Sequence, residues 1–201
     1  MKMKMLLLSA LLLFLPRSAA AMEPRLEQQF KIRQAVQYWG LGSGVVGSAV
    51  AVPMTKKTRD TIADLRSSSN SIEACLNAGL LVFIAPPMIA ATSIAWIGAF
   101  SGTAAGLGGA LSARSTLREA GGSVSLVPGV VGVGALAASP ALLLIGMDAE
   151  DDSMILAGII SFASANALLL TQSLLNGAEY REITNTTRSL VVPPITFSGR
   201  F

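Results

Sequence analysis

Residues 74–113 read ACLNAGLLVFIAPPMIAATSIAWIGAFSGTAAGLGGALSA, 40 residues without one charged side chain. As a helix this stretch would extend about 60 Å at 1.5 Å per residue, twice the roughly 30 Å thickness of a hydrocarbon core. Three more uncharged runs flank it: Gln34 to Thr55 (22 residues), Ala120 to Met147 (28) and Ser153 to Ala178 (26). Each is long enough to span a bilayer. A helix that is apolar all round needs lipid or a large protein about it, and a chain of 201 residues has no core of that size. Composition agrees: 52% of residues are hydrophobic and only 13% charged, against about 25% charged in an average soluble domain. Mean hydropathy is +0.59. The expected fold is all-α, a polytopic helical membrane bundle of four or five spans.

The count turns on the long run. Pro86-Pro87 leaves 12 uncharged residues before it, and the middle has no Gly/Asn turn, which favours one kinked helix. Charge favours a hairpin of two spans. With Met22 outside, a hairpin gathers Lys56, Lys57, Arg59 and Arg66 with Arg114, Arg118, Arg181, Arg188 and Arg200 on the inner side, leaving acidic Asp148 to Asp152 outside. That is the distribution the positive-inside rule asks for, so five spans are preferred on charge.

Upstream, Lys2 and Lys4, an apolar stretch from Met5 to Leu15, and small residues to Ala19-Ala20-Ala21 have the three-part form of a cleaved export signal over residues 1–21. Eleven apolar residues, about 16 Å of helix, are too few to cross. Residues 22–33 are expected as an exported interfacial helix carrying the Glu27–Lys31 pair. Tyr38 and Trp39 then suit an aromatic belt. Residues 34–178 form the transmembrane domain. Asn70 with Glu73 suggests a helix start, Asp151, Asp152 and Ser153 are N-cap candidates for the last span, and Asn176-Gly177 is its expected stop. Residues 179–201 make a polar tail whose end, Ile195 to Phe201, alternates as a strand does. Those seven residues resemble the last strand of bacterial outer-membrane barrels, but the rest of the chain lacks alternating segments of that kind.

Few chemistries remain open. There is no histidine, so Ser/His/Asp triads, Cys/His pairs and the common zinc sites are excluded. The single cysteine, Cys75, cannot form an intrachain disulfide. Gly42-Ser43-Gly44-Val45-Val46-Gly47 spells G-x-G-x-x-G, yet it lies inside an uncharged run without the strand a dinucleotide site requires; close helix packing is the better reading. Asp148-x-Glu150-x-Asp152 opens like a calcium loop but lacks Gly at position 6 and Glu at position 12. No catalytic residue, cofactor or metal ligand is expected, and scattered charge speaks against nucleic acid.

The positive signals concern packing. Gly98, Gly102, Gly106 and Ala110 recur every four residues, a chained GxxxG face that lets helix backbones approach in lipid. Ala157, Ser161 and Ala165 repeat the spacing on the last span and offer a partner face. Pro86, Pro87 and Pro140 are helix-break positions. Thr92, Ser93, Thr171 and Gln172 are polar within the runs, and Asn166 is the polar residue buried deepest. These features lead to the expectation of a structural or assembly subunit in a bacterial inner membrane, with the lipid bilayer and a second copy or another membrane protein as partners. The alternative is a small transporter or channel component with Pro-broken helices.

Overall fold

The structure is a computed structural model that describes residues 22–67, 71–149 and 151–190. Among the described residues there are four helices and no strand: α1 (Pro24–Arg66), α2 (Ser71–Glu119), α3 (Val127–Asp148) and α4 (Asp152–Leu190). Three stretches, Glu73–Glu119, Val127–Asp148 and Asp152–Asn185, are long and apolar enough to cross a membrane. The expected signal over residues 1–21 and the strand-like end of the tail lie outside the described residues.

The long uncharged run is one helix, so the hairpin preferred on charge does not form. Pro86 and Pro87 both sit inside α2. Lacking N–H groups, they withdraw the intrahelical partners of the Val82 and Phe83 carbonyls, and the helix carries through both positions. α1 also joins what sequence separated: the interfacial segment and the first uncharged run are continuous, with Pro24 in the first turn. The Glu27–Lys31 pair forms at 2.7 Å and holds the Lys31 ammonium above its ordinary pKa.

The ends of the helices have local causes. α2 closes in a Schellman turn: Gly122 N donates to Leu117 O (2.8 Å) and Gly121 N to Arg118 O (3.0 Å), with Gly121 at φ +90°. Asp151 caps α4, its Oδ1 accepting from Ser153 N (2.8 Å) and Ser153 Oγ (2.6 Å), and these bonds lower its carboxyl pKa. Asn176-Gly177 does not stop α4, which runs on to Leu190. The Asn176 side chain donates across to Ala110 O (2.8 Å) instead of unwinding its own backbone.

α1 packs antiparallel on α2, and α3 antiparallel on α4. Three apolar clusters lie in line along the bundle. Trp96, Phe100 and Phe162 meet with ring centroids 5.1–5.6 Å apart, around Ala51, Ala99 and Leu143. Leu107, Ala110 and Leu169 fill the middle. At the other end Phe30 stacks on Tyr180 at 4.5 Å, over Ala113, Leu117 and Val124. The outer surface is apolar too: Val46, Ile94, Ile97, Val130, Leu144 and Ile160 are all exposed, as expected of helices that face lipid.

Candidate functional site

The α1–α2 contact is a seam of backbone on backbone. Gly40 rests on Gly106 and the carbonyl of Gly102; Gly44 rests on Thr103; a Cβ on Gly47 would lie 2.9 Å from Ala99 Cα; a Cβ on Gly109 would lie 3.0 Å from Arg33 O and Gln37 N. The pairs fall in register, later residues of α1 meeting earlier ones of α2, over about 15 Å of α2 at 1.5 Å per residue. Gly44 and Gly47 belong to the G-x-G-x-x-G string, so its use is helix packing. Of the chained face on α2, Gly102, Gly106 and Ala110 are turned inward, while Gly98 is exposed and a Cβ there would meet nothing within 4 Å. Gly108 is equally open.

The small residues of α4 serve a different partner. Ser161 Oγ donates to Ala135 O (2.8 Å) on α3, and Ala165 is fully buried against α3 near Gly132. Ala157 is half-buried one turn before Ser161. Ser139 on α3 returns a bond to Gly158 O (2.7 Å), and Gly158 packs against Leu143, where a Cβ would lie 2.7 Å from Cγ. So the expected face on α4 is a packing face, and the partner of the α2 stripe is α1.

Buried polar side chains tie the helices in discrete layers. Arg33 Nη1 reaches across to Ser112 O (2.8 Å) and to the Thr116 hydroxyl. Gln37 Nε2 donates to Ser173 Oγ, which passes its own proton to Leu169 O (2.8 Å); Gln37 Oε1 is buried without a donor. Gln172 accepts from Gly129 N (3.0 Å) and donates to Ser125 O (3.0 Å) and Asn176 Oδ1 (3.2 Å). Asn166 accepts from Thr103 Oγ1 (3.1 Å) and donates to Phe162 O (3.1 Å). At the far end Trp96 Nε1 donates to Thr55 Oγ1 (2.9 Å), and Thr58 and Thr92 hydroxyls meet at 2.9 Å. Because Thr92 already donates to Met88 O (2.9 Å), Thr58 is the donor of that pair. Between these layers the Gly40–Gly106–Leu169 and Gly47–Ala99 levels are closed by direct contact.

Sequence reasoning singled out Asn166, Thr92 and Gln172 but missed Gln37, Thr103, Ser139, Ser173 and Asn176. A usable signal was present on α4: Asn166, Ser173 and Asn176 recur at seven and then three residues, one helical face.

Two features stand apart from the packed bundle. The first is the start of α2, where Leu76, Leu80, Val82, Phe83 (80%) and Ile84 are exposed and Ala85 is the first buried side chain among the described residues. Pro86, Pro87 and Cys75 are exposed there too. The second is a cavity of about 690 Å³ among α1, α2, α3 and the start of α4, with Trp96, Phe100, Pro140 and Leu143 at its apolar end and Arg59, Arg66 and Ser67 at its polar end. The acidic turn is spent on structure: Asp151 caps α4 and Asp152 pairs with Arg59. Among the described residues no group of three metal-ligating side chains comes together. Tyr38 and Trp39 are exposed on α1. Compared with protein families, with characterised proteins and with solved structures, the chain matches none.

Proposed function

We propose that this chain is a noncatalytic subunit of a membrane assembly, a four-span bundle in which α1 crosses beside α2. The observation that carries this reading is the exposed apolar arm of α2 from Leu76 to Ile84. α3, with 22 residues and about 33 Å of helix, matches one hydrocarbon thickness, and it faces α2 between Leu111 and Trp96. α2 has 49 residues, about 73 Å, and the arm lies beyond the part that α3 accompanies. A slab that covers the bundle leaves the arm outside it, and no part of the described chain covers it. A second membrane protein or a second copy supplies that cover. α1 is the fourth span because its uncharged centre, Gln34 to Thr55, lies against α2 at every level from Gln37 to Thr55.

Cys75, the chain's only cysteine, stands exposed on the arm and gives a direct test. A thiol-linked photocrosslinker placed there in native membranes is expected to capture a protein partner in discrete adducts, with a mass above the monomer in mild detergent. Lipid adducts alone, together with a monomeric mass, reject the assembly reading. Because Gly102 is now accounted for inside the chain, substitutions that probe association belong at open Gly98 and Gly108.

The proposed route is a cleaved signal and insertion through the secretory pathway into a bacterial inner membrane. The segment that engages the translocation machinery first usually dominates orientation, so Met22 and, after four spans, Phe201 lie outside. Paired reporters after Phe201, one active only in the cytoplasm and one only outside, are expected to report outside; a cytoplasmic tail rejects the cleaved signal or the fourth span. Passage of a small solute is the competing reading, favoured by Pro140 at the cavity wall. The closed Gly40–Gly106–Leu169 level weighs against a path through the bundle, and flux in reconstituted vesicles decides.

A further inference from the structure

The 690 Å³ cavity falls within the about 300–1,000 Å³ typical of small-ligand sites, and its chemistry is graded from one end to the other. Arg66, in the last turn of α1, and Ser67 stand at the polar end, with Arg59 one to two turns deeper. Thr58 and Thr92 follow, and beyond them the walls are Trp96, Phe100, Leu143 and Ile155. Ile89 and Ile97 of α2 and Leu144 and Met147 of α3 line the same space and are exposed, so it opens sideways toward the surroundings of the bundle. Among the described residues no acidic side chain lines it. Asp152 pairs with Arg59 from outside the wall, and a guanidinium, with five N–H donors in a planar fork, can be shared between a carboxylate and a phosphate.

We propose that this cavity holds one acyl chain of an anionic phospholipid, with the headgroup phosphate on the Arg59–Arg66 end and the chain between Trp96, Phe100 and Leu143. An arginine fork suits a phosphate geometrically, and a basic pocket between helices at a membrane surface is where anionic headgroups are held. A sideways opening lets the chain enter from the bilayer without crossing water. This inference rests on the membrane reading but is independent of whether the α2 arm binds a partner.

Trp96 makes the site self-reporting. In a Trp39→Phe background it is the remaining tryptophan of the chain. The protein is reconstituted in phosphatidylcholine vesicles that contain either phosphatidylglycerol or further phosphatidylcholine with bromine on the acyl chain, at equal mole fraction. Resistance to alkaline extraction is measured first: protein that washes off overturns the membrane reading and this site with it. For inserted protein, brominated phosphatidylglycerol is expected to quench Trp96 at several-fold lower mole fraction. Arg66→Gln is expected to remove most of that preference, about fivefold in affinity for one charge, while Arg66→Lys retains part of it. Arg118→Gln, at the other end of the bundle, is expected to leave it intact. Equal quenching by the two lipids overturns the proposal, since it reports annular contact only. Equal loss in Arg66→Gln and Arg118→Gln overturns it as well, since it reports bulk charge.

Discussion

The two halves of α2 are alike in hydrophobicity and opposite in what they touch. From Ala99 to Ala113 the helix presents Gly102, Gly106, Gly109 and Ala110 to its neighbours and is buried along that face. From Leu76 to Ile84 it presents Leu, Val, Phe and Ile and is exposed nearly all round. In lipid, burying an apolar side chain against another gains little, because the acyl chains it leaves are just as apolar. What joins helices there is close approach and the hydrogen bonds it permits. Thr103 reaches Asn166, and Asn176 reaches Ala110 O, only because glycine brings the backbones together. The first half carries large side chains, lies beyond the bundle and makes no such approach among the described residues.

The comparison breaks most visibly at its tightest contact. Gly106→Leu puts a side chain where the Gly40 backbone and Leu169 already sit, and is expected to cost about 3 kcal/mol or more, separating α1 from α2. Gly98→Leu and Gly108→Leu, on the same helix but open, are expected to stay within about 0.5 kcal/mol. Equilibrium unfolding in mixed detergent measures all three, and similar costs would refute the seam. The next effect down is Asn166→Leu, which removes the interhelical partner of Thr103 and leaves its hydroxyl on Ala99 O, and is expected to cost about 1 kcal/mol by the same measurement. Phe83→Ala in the arm is expected to leave unfolding of the isolated chain unchanged within about 0.5 kcal/mol while weakening capture at Cys75. The smallest effect is the Asp151 cap. Its carboxyl is held below the ordinary 3.8, so the contribution is complete above that value and disappears as pH falls through the lower folded value. Asp151→Asn should lower a thermal-stability profile slightly near neutrality and flatten its acid limb, so that variant and parent converge at low pH.

The helical class and the apolar stretches long enough to span a membrane were legible because they depend on composition and local spacing. Four uncharged runs and a four-residue repeat of small side chains need no knowledge of neighbours. The long helix was misjudged because charge counting weighs loops, whereas the run has no Gly/Asn turn in its middle and α2 carries Pro86 and Pro87 inside it. Asn176-Gly177 was read as a stop for a related reason. An Asn unwinds a helix only when its side chain competes for its own backbone, and here the Ala110 carbonyl takes it. The cavity had no signature at all, since Arg59, Trp96 and Pro140 are distant in sequence and meet on three different helices.

By itself the sequence determined that this chain is helical, apolar and furnished with faces small enough for helices to touch, because those properties follow from side-chain volume and charge at fixed helical periodicity. Only the tertiary structure decided which faces met. Gly102 and Gly106 could have served a second copy, and instead took Gly40 and Gly44 of α1, with Leu169 of α4 beside Gly106. Partner choice rests on register: a Cβ fits or collides within a few tenths of an ångström, and such distances exist only once the helices are side by side.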